Sequence, residues 1–155
     1  NVDGMRRLAE FVRLLMAPAN GEQVVGRAIG VIGIPGDRRD ADMREYGRLA
    51  AQAFDEILVR EDANLRGRAP GETAAIVLEG VTRAQADGGR TRAARAVLNE
   101  LEAAMAAIDV AQPGDLVMMC VDDAATVYRS VMAAGGTGAR GVAIADPGEF
   151  AVEEG

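Results

Sequence analysis

The chain has 155 residues, 49% of them hydrophobic and 26% charged, with a formal charge of −7. That length suits one domain with a real core, and the diffuse acidity excludes a dedicated nucleic-acid-binding domain, which would show a basic stripe. All 17 basic residues are arginine and histidine is absent, which excludes a P-loop lysine, a Schiff-base lysine and an imidazole base or metal ligand.

In chain order, Met5, Leu8, Val12 and Leu15 recur at helical spacing and predict a first helix, with Asp3 as its cap and Pro18 to Gly21 as its end. The first residue is Asn1, not Met, and helical periodicity starts almost at once, which predicts a cut inside a longer protein. The apolar run Ala28 to Ile34 reads as a buried strand ending at Pro35-Gly36. From about Asp40 a second helix turns Met43, Tyr46, Gly47, Ala50 and Phe54 inward. Ile57 to Val59 is the next strand, followed by a polar loop from Arg60 to Gly71. Ala74, Val77, Leu78 and Val81 mark a third helix, and Ala84 to Thr91 reads as an exposed connection.

Ala94 to Leu98 is a weak strand, and Leu101, Ala104, Met105 and Ile108 mark a fourth helix. After the turn at Pro113-Gly114, Leu116 to Val121 is the clearest buried strand. It holds the lone cysteine, Cys120, read as a small buried core residue, since no histidine is there to activate it. Ala124, Val127, Tyr128, Val131 and Met132 mark a fifth helix, broken at Gly135 to Gly138. Residues 135–155 read as a short strand, Val142 to Ile144, and a mobile acidic tail.

Strands alternating with amphipathic helices predict an α/β fold: one Rossmann-like three-layer domain with a mostly parallel sheet covered on both faces, over residues 1–134. Ligands of such sheets bind beyond the carboxyl ends of the strands, which points to the loops after Ile34, Val59 and Val121.

The first loop runs Gly33-Ile34-Pro35-Gly36-Asp37-Arg38-Arg39-Asp40. Its glycines let a ligand approach the backbone, the helix start offers free N–H groups, and Arg38 and Arg39 add forked donors for phosphate or carboxylate. Asp37 or Asp40 is placed to cap the helix or orient an arginine, and a purely structural turn with solvated charges is the competing reading. The motif is neither a Walker A sequence nor a complete GxGxxG fingerprint. The second loop, Arg60-Glu61-Asp62-Ala63-Asn64-Leu65-Arg66-Gly67-Arg68, mixes three arginines with two acids. Such a lining suits a ligand carrying both a carboxylate and a cationic group, against the alternative of a solvated loop with local ion pairs. Asp122 and Asp123 follow the third strand end; two acids there suit a metal ion or other cation, but they read first as caps of the following helix. No cluster with metal-ligand spacing is present in the sequence.

These loops carry a resemblance. Ile29-Gly-Val-Ile-Gly-Ile-Pro-Gly-Asp-Arg-Arg-Asp40, with Tyr46-Gly-Arg-Leu-Ala50, resembles the C-terminal, Mur-ligase-type domain of cyanophycin synthetases. So do Phe54-Asp-Glu-Ile-Leu-Val-Arg-Glu-Asp62, Leu65-Arg-Gly-Arg68, Pro70-Gly-Glu72 and Gln112-Pro-Gly-Asp-Leu-Val117. Asn1 to Leu8 is similar to the end of the Mur-ligase segment that usually reads Asp-Tyr-Ala-His-Asn. The resemblance covers roughly residues 1–134.

The resemblance implies a lid domain of an ATP-dependent amide ligase. In cyanophycin synthetase the Mur-like half adds arginine to poly-aspartate through an acyl phosphate, with ATP and Mg2+ bound mainly by a central domain that lies outside this chain. Carried over by motif, Gly36, Asp37, Arg38 and Arg39 face nucleotide or phosphate, and Arg60, Glu61, Asp62, Arg66 and Arg68 face the incoming amino acid. No residue of the chain is expected to catalyse in isolation and none to hold a metal. The implied partners are the amino acid, the poly-aspartate chain and the remaining ligase domains, in the cytoplasm, with no nucleic acid and no membrane; a homo-oligomeric parent is left open. A Mur-type ligase for cell-wall peptide or polyglutamate, or a non-catalytic module binding a small anion or a partner, are the alternatives.

Overall fold

Four short apolar segments and five helices alternate along the chain, and the strands align in one direction because each is followed by a helix long enough to return the chain across the sheet. The computed structural model describes residues 1–18 and 26–137. The strands are β1 (Ala28–Ile32), β2 (Glu56–Val59), β3 (Ala93–Ala96) and β4 (Leu116–Met119). The helices are α1 (Val2–Leu15), α2 (Asp40–Ala53), α3 (Glu72–Ala86), α4 (Glu100–Val110) and α5 (Ala124–Ala133). The sheet order is β3-β2-β1-β4 and every pairing is parallel. The expected α/β fold with a parallel sheet is therefore the observed one.

The chain divides into two compact units, the first covering Asn1–Asp122 and the second beginning at Asp123. In the first unit the sheet is clothed on both faces. Ala28 and Ile32 meet a core built from α1, α2 and α3, while Ile29 and Val31, one residue out of step, meet Ala103 and Ala107 of α4. That alternation is the period-two geometry of a strand. β1 is buried at every position because it is central and covered on both sides. On α2 the predicted inward residues Met43, Tyr46, Gly47 and Ala50 are buried. Phe54 is also fully buried, but as the residue that ends the helix rather than within it; burying a phenyl ring of that kind is worth about 1.5–3 kcal/mol.

Several expectations are corrected. Asn1, not Asp3, caps α1, its side-chain oxygen accepting from the Gly4 N–H at 2.7 Å; Asp3 instead pairs with Arg6. The buried stripe of α1 is Met5, Ala9 and Val12, leaving Leu8 half-buried and Leu15 exposed. Ten residues at 3.6 per turn carry Leu15 about 80° round the axis from Met5, outside the contact face. The predicted stop at Pro18 to Gly21 falls partly outside the described residues.

β1 ends at Ile32, two residues before the apolar run does, so Gly33 and Ile34 already belong to the loop. The connection expected from Ala84 is helical to Ala86, and Thr91 is buried, its hydroxyl donating to the Phe54 carbonyl at 2.8 Å. The weak strand is Ala93–Ala96, largely exposed at the sheet edge. On α4 the buried face is Ala103, Ala104 and Ala107, with Leu101, Met105 and Ile108 only half-buried. Small side chains let that helix sit close to the sheet, and the larger ones flank the contact.

β4 is not the most buried strand. It pairs with β1 alone among the described residues, so it is an edge strand, half-buried throughout, and Cys120 just beyond it is half-buried too. Of the predicted α5 face only Val127 is buried. The helix is capped by Asp123, whose carboxylate accepts from the Thr126 N–H at 3.0 Å. Val142 to Ile144 and the acidic tail lie outside the described residues. Among those residues no helix is long and apolar enough to cross a membrane.

Candidate functional site

All four strands point their carboxyl ends the same way, so the loops after β1, β2 and β4 open on one edge, as the alternation of elements predicts. The chain builds outward from β1 through β2 to β3 and then returns to the other side with β4. The crevice between the ends of β1 and β4 is therefore the topological switch point of the sheet. A cavity of about 390 Å³ opens there, lined by Gly33, Tyr46, Arg60, Cys120, Val121 and Asp122 among others.

Arg60 is the centre of that crevice, and it is only 4% exposed. Its Nη1 donates to Asp62 at 2.6 Å and Asp122 at 2.8 Å, while Nε and Nη2 both donate to the Cys120 carbonyl at 3.1 Å. Glu100, from the start of α4, lies 3.6 Å from Nε. Burial works against the guanidinium charge, but the Asp122 hydrogen bond and the surrounding carboxylates outweigh it and push its pKa up. Asp62 is pushed up as well, first by burial and then by the Asp122 charge, in spite of Arg60. The arrangement holds one cation among three acids and ties the ends of β2 and β4 together.

Glu61 is turned inward too, at 6% exposed. Its two oxygens accept from the Gly71 N–H at 2.9 Å and the Ala74 N–H at 3.0 Å. Gly71 leads into α3 in a left-handed conformation and offers no side-chain cap, so Glu61 supplies the cap from the end of the neighbouring strand. Both polar residues that follow β2 are thus braces of the fold, and a ligand reaching the edge would not meet either as a free group.

The loop after β1 is organised differently. Arg39 is bidentate to Asp42 at 2.8 and 2.9 Å, on the surface. Arg38 is half exposed, and its nearest carboxylate is Asp37 at 3.8 Å. No side chain caps α2, so the alternative in which Asp37 or Asp40 caps it is not realised. Asp37 stands instead between two guanidinium groups, Arg38 and Arg66, the latter at 3.3 Å. Arg66 has a φ of 53°, the only positive value for a non-glycine among the described residues, and its N–H donates to Asn64 at 3.0 Å. An Asx-type turn of this sort makes a left-handed residue tolerable.

Arg68 faces inward, its four bonds spanning both loops: Nε to the Gly36 carbonyl at 2.8 Å, Nη2 to the Arg38 carbonyl at 3.0 Å and Asp40 at 2.7 Å, and Nη1 to Glu72 at 2.8 Å. Gly36 itself is pressed against the second loop, and a Cβ there would overlap the Leu65 carbonyl oxygen.

The nine residues singled out from sequence therefore share one edge but fall into two groups. Asp37, Arg38, Arg39 and Arg66 present charge outward; Gly36 and Arg68 hold the two loops together, Arg60 and Asp62 tie the end of β2 to that of β4, and Glu61 caps α3. Asp122 joins Arg60, whereas Asp123 caps a helix. Sequence reasoning passed over Tyr46 and Glu100 at this edge. Tyr46 is buried with its phenol against the Gly33 backbone, and burial keeps it protonated. Glu100 had one usable signal, its place at the start of the helix after an edge strand. Cys120 contributes its carbonyl, not its thiol, whose pKa burial pushes up. Among the described residues no group of three or more His, Cys, Asp or Glu could hold a metal ion.

No protein-family model matches the chain. A cyanophycin synthetase of Synechocystis sp. is 38% identical over 119 residues, 77% of this chain and 12% of that protein. One from Trichormus variabilis is 39% identical over 94 residues, 61% of this chain and 10% of that protein. A UDP-N-acetylmuramoyl-L-alanyl-D-glutamate–2,6-diaminopimelate ligase of Corynebacterium efficiens is 36% identical over 93 residues, 60% of this chain and 18% of that protein. A solved structure of a ligase of that last name superposes with a TM-score of 0.60 over 88% of this chain and 28% of its own, at 17% identity, which speaks for the fold alone. The chain spans about a tenth of the length of the cyanophycin synthetases it matches.

Proposed function

Taking as premise that this chain is a Mur-ligase-type domain, we propose that it is the C-terminal lid of an ATP-dependent amide ligase that joins arginine to an aspartate-rich acceptor, in the cytoplasm. The observation that carries the reading is the outward pair of guanidinium groups, Arg38 and Arg66, brought from two loops to either side of Asp37 at the carboxyl edge of the sheet. Two forked cations at one edge suit phosphate or carboxylate oxygens. The uncapped start of α2 adds backbone N–H groups of the same preference.

ATP would supply the activation of the acceptor carboxyl. The residues present fit its phosphates on the side of Arg38 and Arg39. They do not fit its magnesium ion, for which the described residues offer no ligand cluster; in this reading that ion belongs to a central domain. What this chain's residues contribute is orientation and charge: Arg38 on phosphate oxygens and Arg66 on the carboxylate of the amino acid. The chain has no histidine or lysine to serve as a base, and its isolated form is expected to be inactive.

The test is ATP turnover by the full ligase carrying this domain. Arginine should stimulate turnover on an aspartate-rich primer, and Arg38→Ala should lower kcat/KM by about 10²-fold, the scale for removing one charge-stabilising donor. A ligase that ignores arginine but responds to diaminopimelate would move the assignment to cell-wall peptide ligation, the second reading, which the Corynebacterium efficiens relative favours.

A further inference from the structure

The carbonyls of Gly36 and Arg38 lie in the bend between β1 and α2, beyond the end of the sheet ladder and before the helix begins. Both accept from one guanidinium, that of Arg68, which arrives from the other loop. The same group reaches Asp40 and Glu72, the first residues of α2 and α3. Glu72 in turn accepts from the Ala69 N–H at 3.0 Å, which ties the segment just beyond Arg68 to α3. Four acceptors, two in the first loop and two at helix starts, are met by one planar fork. A lysine, with a single compact ammonium, could not span them.

This matters for the exposed groups on either side. Arg38 is the residue whose carbonyl Arg68 holds, and Arg66 precedes Arg68 by two residues through the left-handed turn at Arg66 and Gly67. Fixing the Arg68 fork against the first loop therefore fixes the separation of the two outward guanidinium groups.

We infer that Arg68 is a positioning residue: it clamps the loop after β1 to the loop after β2 and so sets the spacing between the Arg38 and Arg66 groups that face the two substrates. The inference rests on the proposed function for what those two groups bind; the clamp itself is a matter of geometry. It also changes the role given to Arg68 by the motif resemblance, from substrate contact to support of two contacts at once.

The experiment is steady-state kinetics on the full ligase, varying ATP and arginine separately, for wild type, Arg68→Ala, Arg68→Lys and Glu72→Gln. Misplacing both loops should lower kcat/KM for each substrate by about 10²-fold in Arg68→Ala, with Arg68→Lys no better and millimolar guanidinium partly restoring the alanine variant. Glu72→Gln removes the charge of one exposed partner and leaves the bonds to Asp40 and to the first loop, so it should stay within about twofold of wild type. If the alanine variant does not fold, the lysine variant carries the same reading. Variants that lower only Tm, with kinetic constants unchanged and no response to guanidinium, would overturn the inference alone. A wild-type ligase with no ATP-dependent ligation would overturn the proposed function, and this inference with it.

Discussion

Gly33 and Arg60 share one volume: a Cβ on residue 33 would lie 2.6 Å from the Arg60 Nε and 2.9 Å from its Cδ. The Arg60 side chain cannot swing aside, because its other face is fastened to Cys120, Asp62 and Asp122. Gly33→Ala should therefore dislodge the guanidinium and destabilise the fold by about 1–3 kcal/mol, the usual cost of forcing a buried polar group from its partners. Denaturant titration of Gly33→Ala, Arg60→Met and the double variant checks this as a cycle. The two effects should be strongly non-additive; simple additivity would mean that the glycine serves something other than passage of the arginine.

Glu61 should behave as a cap and not as a ligand. Glu61→Ala orphans the Gly71 and Ala74 N–H groups in a buried setting, and a loss of about 2–4 kcal/mol follows from two unsatisfied donors. The check is thermal or chemical unfolding, together with amide hydrogen exchange at the start of α3, where protection should fall first. A Glu61→Gln ligase whose KM for arginine rises steeply while its stability is unchanged would return Glu61 to the substrate site.

Acid stability should report on Asp115. Its carboxylate accepts from the Arg27 N–H at 2.8 Å, the Gln112 N–H at 2.9 Å and the Arg27 guanidinium, which hold its pKa down to about 2 from an ordinary 3.8. A depressed acid stabilises the fold fully above its unfolded pKa, and that stability drains away as pH falls from about 4 towards 2. Unfolding free energies measured across this window should slope downward with acid in wild type, and Asp115→Asn should flatten the slope and lower the plateau at pH 6. An unaltered slope would place the acid sensitivity on other carboxylates.

The back of the domain offers a contrast. Gly80 of α3 lies against α2 so closely that a Cβ would overlap the Arg44 carbonyl oxygen, and a Cβ on Gly47 would overlap the Val77 carbonyl in return. Two helix backbones cannot yield as a side chain can, so Gly80→Ala should cost at least about 3 kcal/mol, the upper range for overpacking. Circular dichroism during urea unfolding gives the number; a near-neutral result would mean that the helices slide apart without loss.

Much of this protein could be read along the chain. The order of helices and strands, the parallel sheet and the edge that carries the charged loops follow from local periodicity and from the rule that ligands meet parallel sheets at their carboxyl ends. The two arginine-rich stretches are contiguous, so their membership of one edge was legible as soon as the strands were. Burial was less so. β4 is apolar at every position, yet it is only half-buried, because a sheet edge is decided by which strands pair and not by the strand's own residues.

The sequence by itself determined which residues stand at the edge: Arg38, Arg39, Arg60, Arg66 and Arg68, with their acids, on loops between β strands and α helices. Only the tertiary structure decided which of them face outward. Arg60 and Arg68 turn in because their partners, the Cys120 carbonyl and Asp122 for one, the Gly36 and Arg38 carbonyls for the other, lie about thirty to sixty residues away along the chain. A guanidinium satisfies whichever acceptors the fold leaves unpaired nearby, and nothing in its own neighbourhood of sequence says which acceptors those will be.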